Sequence, residues 1–128
     1  MASEPQHIFV INGSPVFLDV MRDLLQDEHY NVTTTNFAPR SFEQIAALQP
    51  SMLIVDVAIG QKAGWELLER LNADASTEQI PVLVVSTDPA LLTRAEDQAN
   101  RYGGSRFLNK PFDLEAMLEA VHELIGPA

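Results

Sequence analysis

This 128-residue sequence predicts an open α/β fold, a parallel sheet covered by helices. Three observations carry the prediction. Short runs of branched apolar residues recur at 8–11, 52–55 and 80–85. Continuous runs of that kind suit strands buried on both faces. Two more polar runs, 30–35 and 106–109, suit sheet edges. The stretches between carry apolar residues at helical spacing, so strand and helix alternate five times. Right-handed crossovers then place helices on both faces. The chain is too short for an eight-stranded α/β barrel.

Each element has a local reason. The first strand ends at Asn12-Gly13-Ser14, where Ser14 can cap a helix with Pro15 at its first position. Phe17, Val20, Met21, Leu24 and Leu25 form that helix's apolar stripe. After the second strand, Ser41 and Gln44 make a capping-box pattern ahead of Ile45 and Leu48. The third strand ends at Asp56, and Trp65, Leu67, Leu68 and Leu71 mark the third helix. The fourth strand ends at Ser86-Thr87. Thr87 or Asp88 caps a fourth helix with a thin stripe of Leu91, Leu92, Ala95, Ala99 and Tyr102. Gly103-Gly104 stops it. Lys110-Pro111 follows the fifth strand, and Asp113 opens a fifth helix. That helix carries Leu114, Met117, Leu118, Val121 and Ile125 on one face and Glu115, Glu119 and Glu123 on another. His122 is expected on its exposed side. One domain is expected to fill 1–128, with its core over about 6–126 and no output domain in this chain.

Composition excludes several chemistries. With 46% apolar and 20% charged residues, the chain is ordinary globular material. The absence of cysteine removes disulfides, thiolate metal sites and cysteine nucleophiles. A net charge of −10, with basic residues scattered along the chain, argues against nucleic acid and anionic lipid. No apolar run approaches the ~18–20 residues that span a bilayer, and the N-terminus has no signal-peptide pattern. A cytoplasmic location is expected. His7, His29 and His122 lack metal-ligand spacing.

In open α/β sheets, ligands bind beyond the carboxyl ends of the strands. Asn12-Gly13-Ser14, Asp56, Ser86-Thr87 and Lys110-Pro111 all follow strands. A carboxylate, a hydroxyl and an ammonium therefore meet at one sheet edge, a set suited to phosphoryl chemistry. Singly, each has a plainer reading: Asp56 as a turn former, Lys110 as its ion-pair partner, Ser86 as a helix cap. The joint placement at strand ends is more specific.

At these residues the sequence resembles the receiver domains of two-component response regulators. Asp56 ends an apolar strand, and Gly64 follows eight residues later at the family's loop glycine. Ile80-Pro81-Val82-Leu83-Val84-Val85-Ser86-Thr87 is similar to the fourth strand, with Thr87 where a small residue is usual. Phe107-Leu108-Asn109-Lys110-Pro111-Phe112 is similar to the fifth strand and its lysine-proline turn. The resemblance implies a flavodoxin-like, doubly wound sheet in order 2-1-3-4-5 with five helices, and a cis bond before Pro111. It implies Asp56 as phosphoacceptor, Lys110 as phosphoryl contact, and Ser86 and Phe107 as switch residues. A face built from the fourth helix, fifth strand and fifth helix would carry the output. A histidine kinase or phosphotransfer protein, a downstream protein target, or both, are the implied partners. Turnover is not expected beyond self-catalysed transfer onto Asp56.

One departure bears on this. Receivers usually carry two acids at the end of the first strand, which hold Mg²⁺ together with the phosphoacceptor. Here those positions are Asn12 and Gly13. Mg²⁺ favours carboxylate oxygens. Asp56, Asn12 and the backbone oxygen of Ala58 are the ligands left, so a weak or absent magnesium site is expected. Three readings follow: a signalling module with Asp56 impaired or unused, a fully competent phosphoacceptor, and a flavodoxin-like nucleotide or flavin binder cradling phosphate at Gly13-Ser14. No glycine-rich fingerprint follows the first strand, which weighs against the third.

Overall fold

A computed structural model describes residues 6–36, 40–58, 62–110 and 113–127. The strands are β1 (His7–Ile11), β2 (Asn31–Thr35), β3 (Met52–Asp56), β4 (Val82–Ser86) and β5 (Arg106–Asn109). They form one parallel sheet in order β2-β1-β3-β4-β5. The polar runs are the edges, and the three branched apolar runs are the centre, as the sequence predicts. Ile8, Val10, Leu53, Ile54, Leu83 and Val84 are fully buried. Burying each such side chain is worth about 1.5–3 kcal/mol.

Strand alternation divides the core in two. Ile8, Val10, Ile54, Leu83 and Val85 face α1 (Pro15–Asp27) and α6 (Leu114–Ile125), against Met21, Leu25, Met117, Ala120 and Val121. Phe9, Ile11, Val55, Val82 and Val84 face α2 (Ser41–Leu48), α3 (Ala63–Ala73), α4 (Pro89–Asp97) and α5 (Ala99–Tyr102).

Three helix starts follow their capping residues. Ser14, Asp88 and Asp113 accept from the backbone N–H groups of Phe17, Ala90 and Ala116. Each bond satisfies a donor that the first helical turn leaves open. The capping-box expectation at Ser41 is corrected. Ser41 is the first helical residue, Arg40 holds the cap position without a side-chain cap, and the Ser41 hydroxyl donates to the Asn36 carbonyl at 3.5 Å.

The expected fourth helix is also corrected, so the five expected helices become six among the described residues. The helix breaks at Gln98, whose N–H still reaches the Arg94 carbonyl. The break frees α5 to pack on α3. The Asn72 amide donates to the carbonyls of Asn100 and Arg101 at 2.8 and 3.1 Å, and Tyr102 meets Trp65 with ring centroids 4.8 Å apart. Gly103 ends α5 at φ 73°, a left-handed conformation that favours glycine. His122 is exposed on α6 as expected.

Candidate functional site

The carboxyl ends of β1, β3, β4 and β5 bring the candidate residues to one edge. Asp56 is the last residue of β3, and Lys110 follows β5 with its N–H donating to the Ser86 carbonyl at 2.7 Å. The Lys110 Nζ lies 3.0 Å from Asp56 Oδ1. Their side chains are only 17% and 15% exposed, so this pair is far less solvent-screened than the ion pairs on the helices. Burial pushes the Asp56 carboxyl above its ordinary range; the hydrogen bond and charge of Lys110 pull the other way and offset only part of that.

Asn12 stands one residue past the end of β1, beside the end of β3. It is 2% exposed. Its N–H donates to the Thr35 carbonyl at 3.2 Å, and its Oδ1 accepts from the Ser14 N–H at 2.9 Å. Its Nδ2 is buried without a partner among the described residues. Gly13 is exposed, and nothing lies within 4 Å of where its Cβ would be. Ala58 is half-buried two residues beyond Asp56. Among the described residues, no three His, Asp or Glu side chains are grouped to hold a cation.

Ser86 is fully buried, and its Oγ accepts from the Asp88 N–H at 3.1 Å at the entry to α4. Among the described residues its hydroxyl makes no hydrogen bond with Asp56 or Lys110, so Ser86 is tied to the site through its backbone carbonyl, which accepts from the Lys110 N–H. Phe107 is half-buried with its ring against Gly104 and Val84, on the α2–α5 face. Asp56 and Lys110 are thus brought into contact, Asn12 lies beside them, and Ser86 and Phe107 turn to the other side. The loop glycine has a physical reason. A Cβ at Gly64 would stand 2.6 Å from the Asp56 carbonyl oxygen, so α3 starts against the end of β3 only without a side chain there.

Two expectations, the bond before Pro111 and the place of Phe112, lie outside the described residues. Sequence reasoning missed one neighbour. The Lys110 Nζ also sits 4.0 Å from the centroid of the Phe17 ring. In the sequence Phe17 is one more apolar residue of α1; its place one turn past the Ser14 cap is the only local sign of a site role.

Residues 8–122 match the response regulator receiver domain family. The chain belongs to that family. It is 20% identical over 125 residues to the polar-differentiation response regulator DivK of Brucella anthropi, covering 97% of this chain and 99% of DivK. It is 28% identical over 120 residues to the DNA-binding dual master transcriptional regulator RpaA of Synechocystis sp., covering 92% of this chain and 48% of RpaA. It therefore spans about half of RpaA. Among solved structures, Vibrio cholerae chemotaxis protein CheY4 superposes with a TM-score of 0.82 at 18% identity, covering 94% and 98% of the two chains. The receiver domain of sensor histidine kinase PA1611 from Pseudomonas aeruginosa, with a magnesium ion in its active-site cleft, superposes at 0.81 and 17% identity, covering 95% and 98%. At such identities these two show the fold.

Receiver domains are generally signalling modules of two-component systems rather than enzymes. They interact with histidine kinases and downstream effectors, and they generally bind Mg²⁺ at the active site. No helix among the described residues is long and apolar enough to cross a membrane.

Proposed function

We propose that this receiver domain signals through protein–protein contacts, with Asp56 at the phosphoacceptor position and its Mg²⁺-dependent phosphorylation impaired. Its partners are a histidine kinase or phosphotransfer protein, a downstream protein target, or both. The observation that carries the reading is Asn12-Gly13 at the end of β1.

The donor set does not fit a magnesium site. Mg²⁺ needs acceptor oxygens, preferably carboxylates, in octahedral array. Among the described residues Asp56 is the one carboxylate here, and it is engaged by Lys110. The Asn12 Oδ1 already accepts from Ser14, and the uncommitted atom of that amide, Nδ2, is a donor with the wrong polarity for a cation. Gly13 contributes no side chain. A phosphoryl dianion approaching Asp56 would then meet Lys110 and backbone N–H groups alone. Metal charge stabilisation of such a transfer is worth several kcal/mol, and its loss slows transfer by orders of magnitude. In this reading Ser86 and Phe107 keep the switch positions, with Ser86 poised at the entry to α4.

One observation favours the competent phosphoacceptor as a second reading. The Lys110 ammonium already stands 3.0 Å from Asp56, so the cation that would offset phosphoryl charge is in place.

Intact-mass spectrometry after incubation with Mg²⁺ and a small acyl-phosphate donor separates the two. We expect no adduct on the native chain in the time that an Asn12→Asp, Gly13→Asp double variant acquires one. An adduct on the native chain that is absent from Asp56→Asn would overturn the proposal and establish the second reading.

A further inference from the structure

We infer that Phe17 is a positioning residue for the site: its ring holds the Lys110 ammonium against Asp56. Three observations meet here. The Nζ lies 4.0 Å from the Phe17 centroid and 3.0 Å from Asp56 Oδ1, so one ammonium bridges an aromatic face and a carboxylate. The Lys110 side chain is 17% exposed, and a cation–π contact strengthens as water is removed. Strand alternation supports the geometry, since Leu108 packs on the α1 side of the sheet and Lys110 is two residues on.

The chemistry explains why an aromatic ring belongs there. Lys110 follows an edge strand and is tethered by its backbone to Ser86, so its long side chain has many rotamers to lose. With Asn12 and Gly13 in the neighbouring positions, Asp56 is its one carboxylate partner among the described residues. The Phe17 ring supplies a second, permanent attraction. It carries no charge and does not titrate, so the hold persists when Asp56 is protonated or modified. Phe17 itself is fixed by packing against the core formed with Met21 and Leu25. The ring thus restricts the ammonium to positions near the acceptor oxygen. This inference concerns the lysine's placement alone, and it stands whether or not Asp56 takes a phosphoryl group.

The sequence contains two lysines, Lys62 and Lys110, and Lys62 is exposed at the start of α3. Amine acylation of the folded chain under limiting reagent, read by peptide mass spectrometry as the Lys110-to-Lys62 labelling ratio, therefore carries its own reference. No phosphodonor is present, so this result is independent of the phosphorylation assay. We expect Phe17→Leu, which keeps the bulk and removes the π face, to raise the ratio about threefold to tenfold. Phe17→Tyr, which keeps the face, should restore the native ratio. Proton NMR adds a direct signature: Lys110 ε-methylene signals upfield of those of Lys62 in the native chain and in Phe17→Tyr, and not in Phe17→Leu. Should Phe17→Leu fail to fold, Phe17→Met is read by the same criteria. An unchanged ratio in the ringless variant, a Tyr variant that labels like it, or a native chain without the upfield shift would each overturn the inference.

Discussion

On one face of the sheet, α1 and α6 are unbroken helices of 13 and 12 residues. Both are capped by side chains, and together they bury Met21, Leu25, Met117, Ala120 and Val121 against the strands. On the other face, α4 and α5 have 9 and 4 residues and meet at a break. They contribute Leu92, Ala95 and Tyr102 to the core, and exposed polar groups make much of the rest. Arg101 pairs with Glu69 at 3.2 Å, and the Arg94 guanidinium sits 4.8 Å from the Trp65 ring centroid. Surface contacts of this kind contribute little each. The charged pair of the site belongs to the first face, where Lys110 rests on α1. Ser86 and Phe107 belong to the second. The Asp56–Lys110 pair is thus placed beside the layer of long, unbroken helices, and Ser86 and Phe107 beside the layer whose helices are short and interrupted.

This contrast can be sharpened by truncating equivalent core residues. Met117→Ala on α6 should cost about 2–5 kcal/mol in chemical denaturation, because Met117 is fully buried. Leu92→Ala on α4 should cost clearly less, since Leu92 retains 7% exposure and its helix can shift into the space. Equal losses would break the comparison.

Where α3 meets the end of β3, Gly64→Ala should cost about 1–3 kcal/mol, as its Cβ would be driven against the Asp56 carbonyl. Gly13→Ala, with open space around it, should stay within about 0.5 kcal/mol. Thermal melts of the two variants read the difference directly.

Native-state hydrogen exchange should find α4 and α5 exchanging about tenfold faster than α6. Matching protection in the two layers would contradict the division drawn above.

The smallest expected effect is electrostatic. The Asp56 carboxyl is raised in the folded chain, so the native state binds its proton more tightly than the unfolded state does. The associated stability is present below the ordinary carboxylate range and is lost as pH rises through the raised one. Stability of the native chain minus that of Asp56→Asn should therefore fall across this window. A difference that rises instead would mean that Lys110 outweighs burial at Asp56.

Particular residues show how far the sequence could be read. The branched runs at β1, β3 and β4 announce buried strands because they are too short for a helix, rich in branched residues and bounded by turn residues. Ser14, Asp88 and Asp113 announce helix starts because a cap is a local hydrogen bond. Ser41 misleads for the same reason. The capping-box pattern is present, but the chain entering α2 puts Arg40 at the cap and turns the Ser41 hydroxyl back to Asn36. The stripe from Leu91 to Tyr102 reads as one helix because periodicity carries through Gln98 without a proline or glycine. Beyond the break, α5 meets Asn72 and Trp65 of α3, which lie far away in sequence.

The site divides in the same way. Asp56, Ser86 and Lys110 are legible because each ends or directly follows a strand, and parallel strands deliver their carboxyl ends to one edge. Asn12-Gly13, an uncharged pair directly after β1, is written in the sequence outright. Tertiary structure alone decided that Asp56 and Lys110 touch, that burial raises the Asp56 carboxyl even beside a cation, and that Ser86 and Phe107 face away from that pair. It also decided that an apolar residue of α1 lies under the lysine. Caps, strands and helix stripes are settled by neighbours a few residues apart, which sequence displays. Ion-pair distance, desolvation and the contact between Phe17 and Lys110 depend on which helix packs over which strand end.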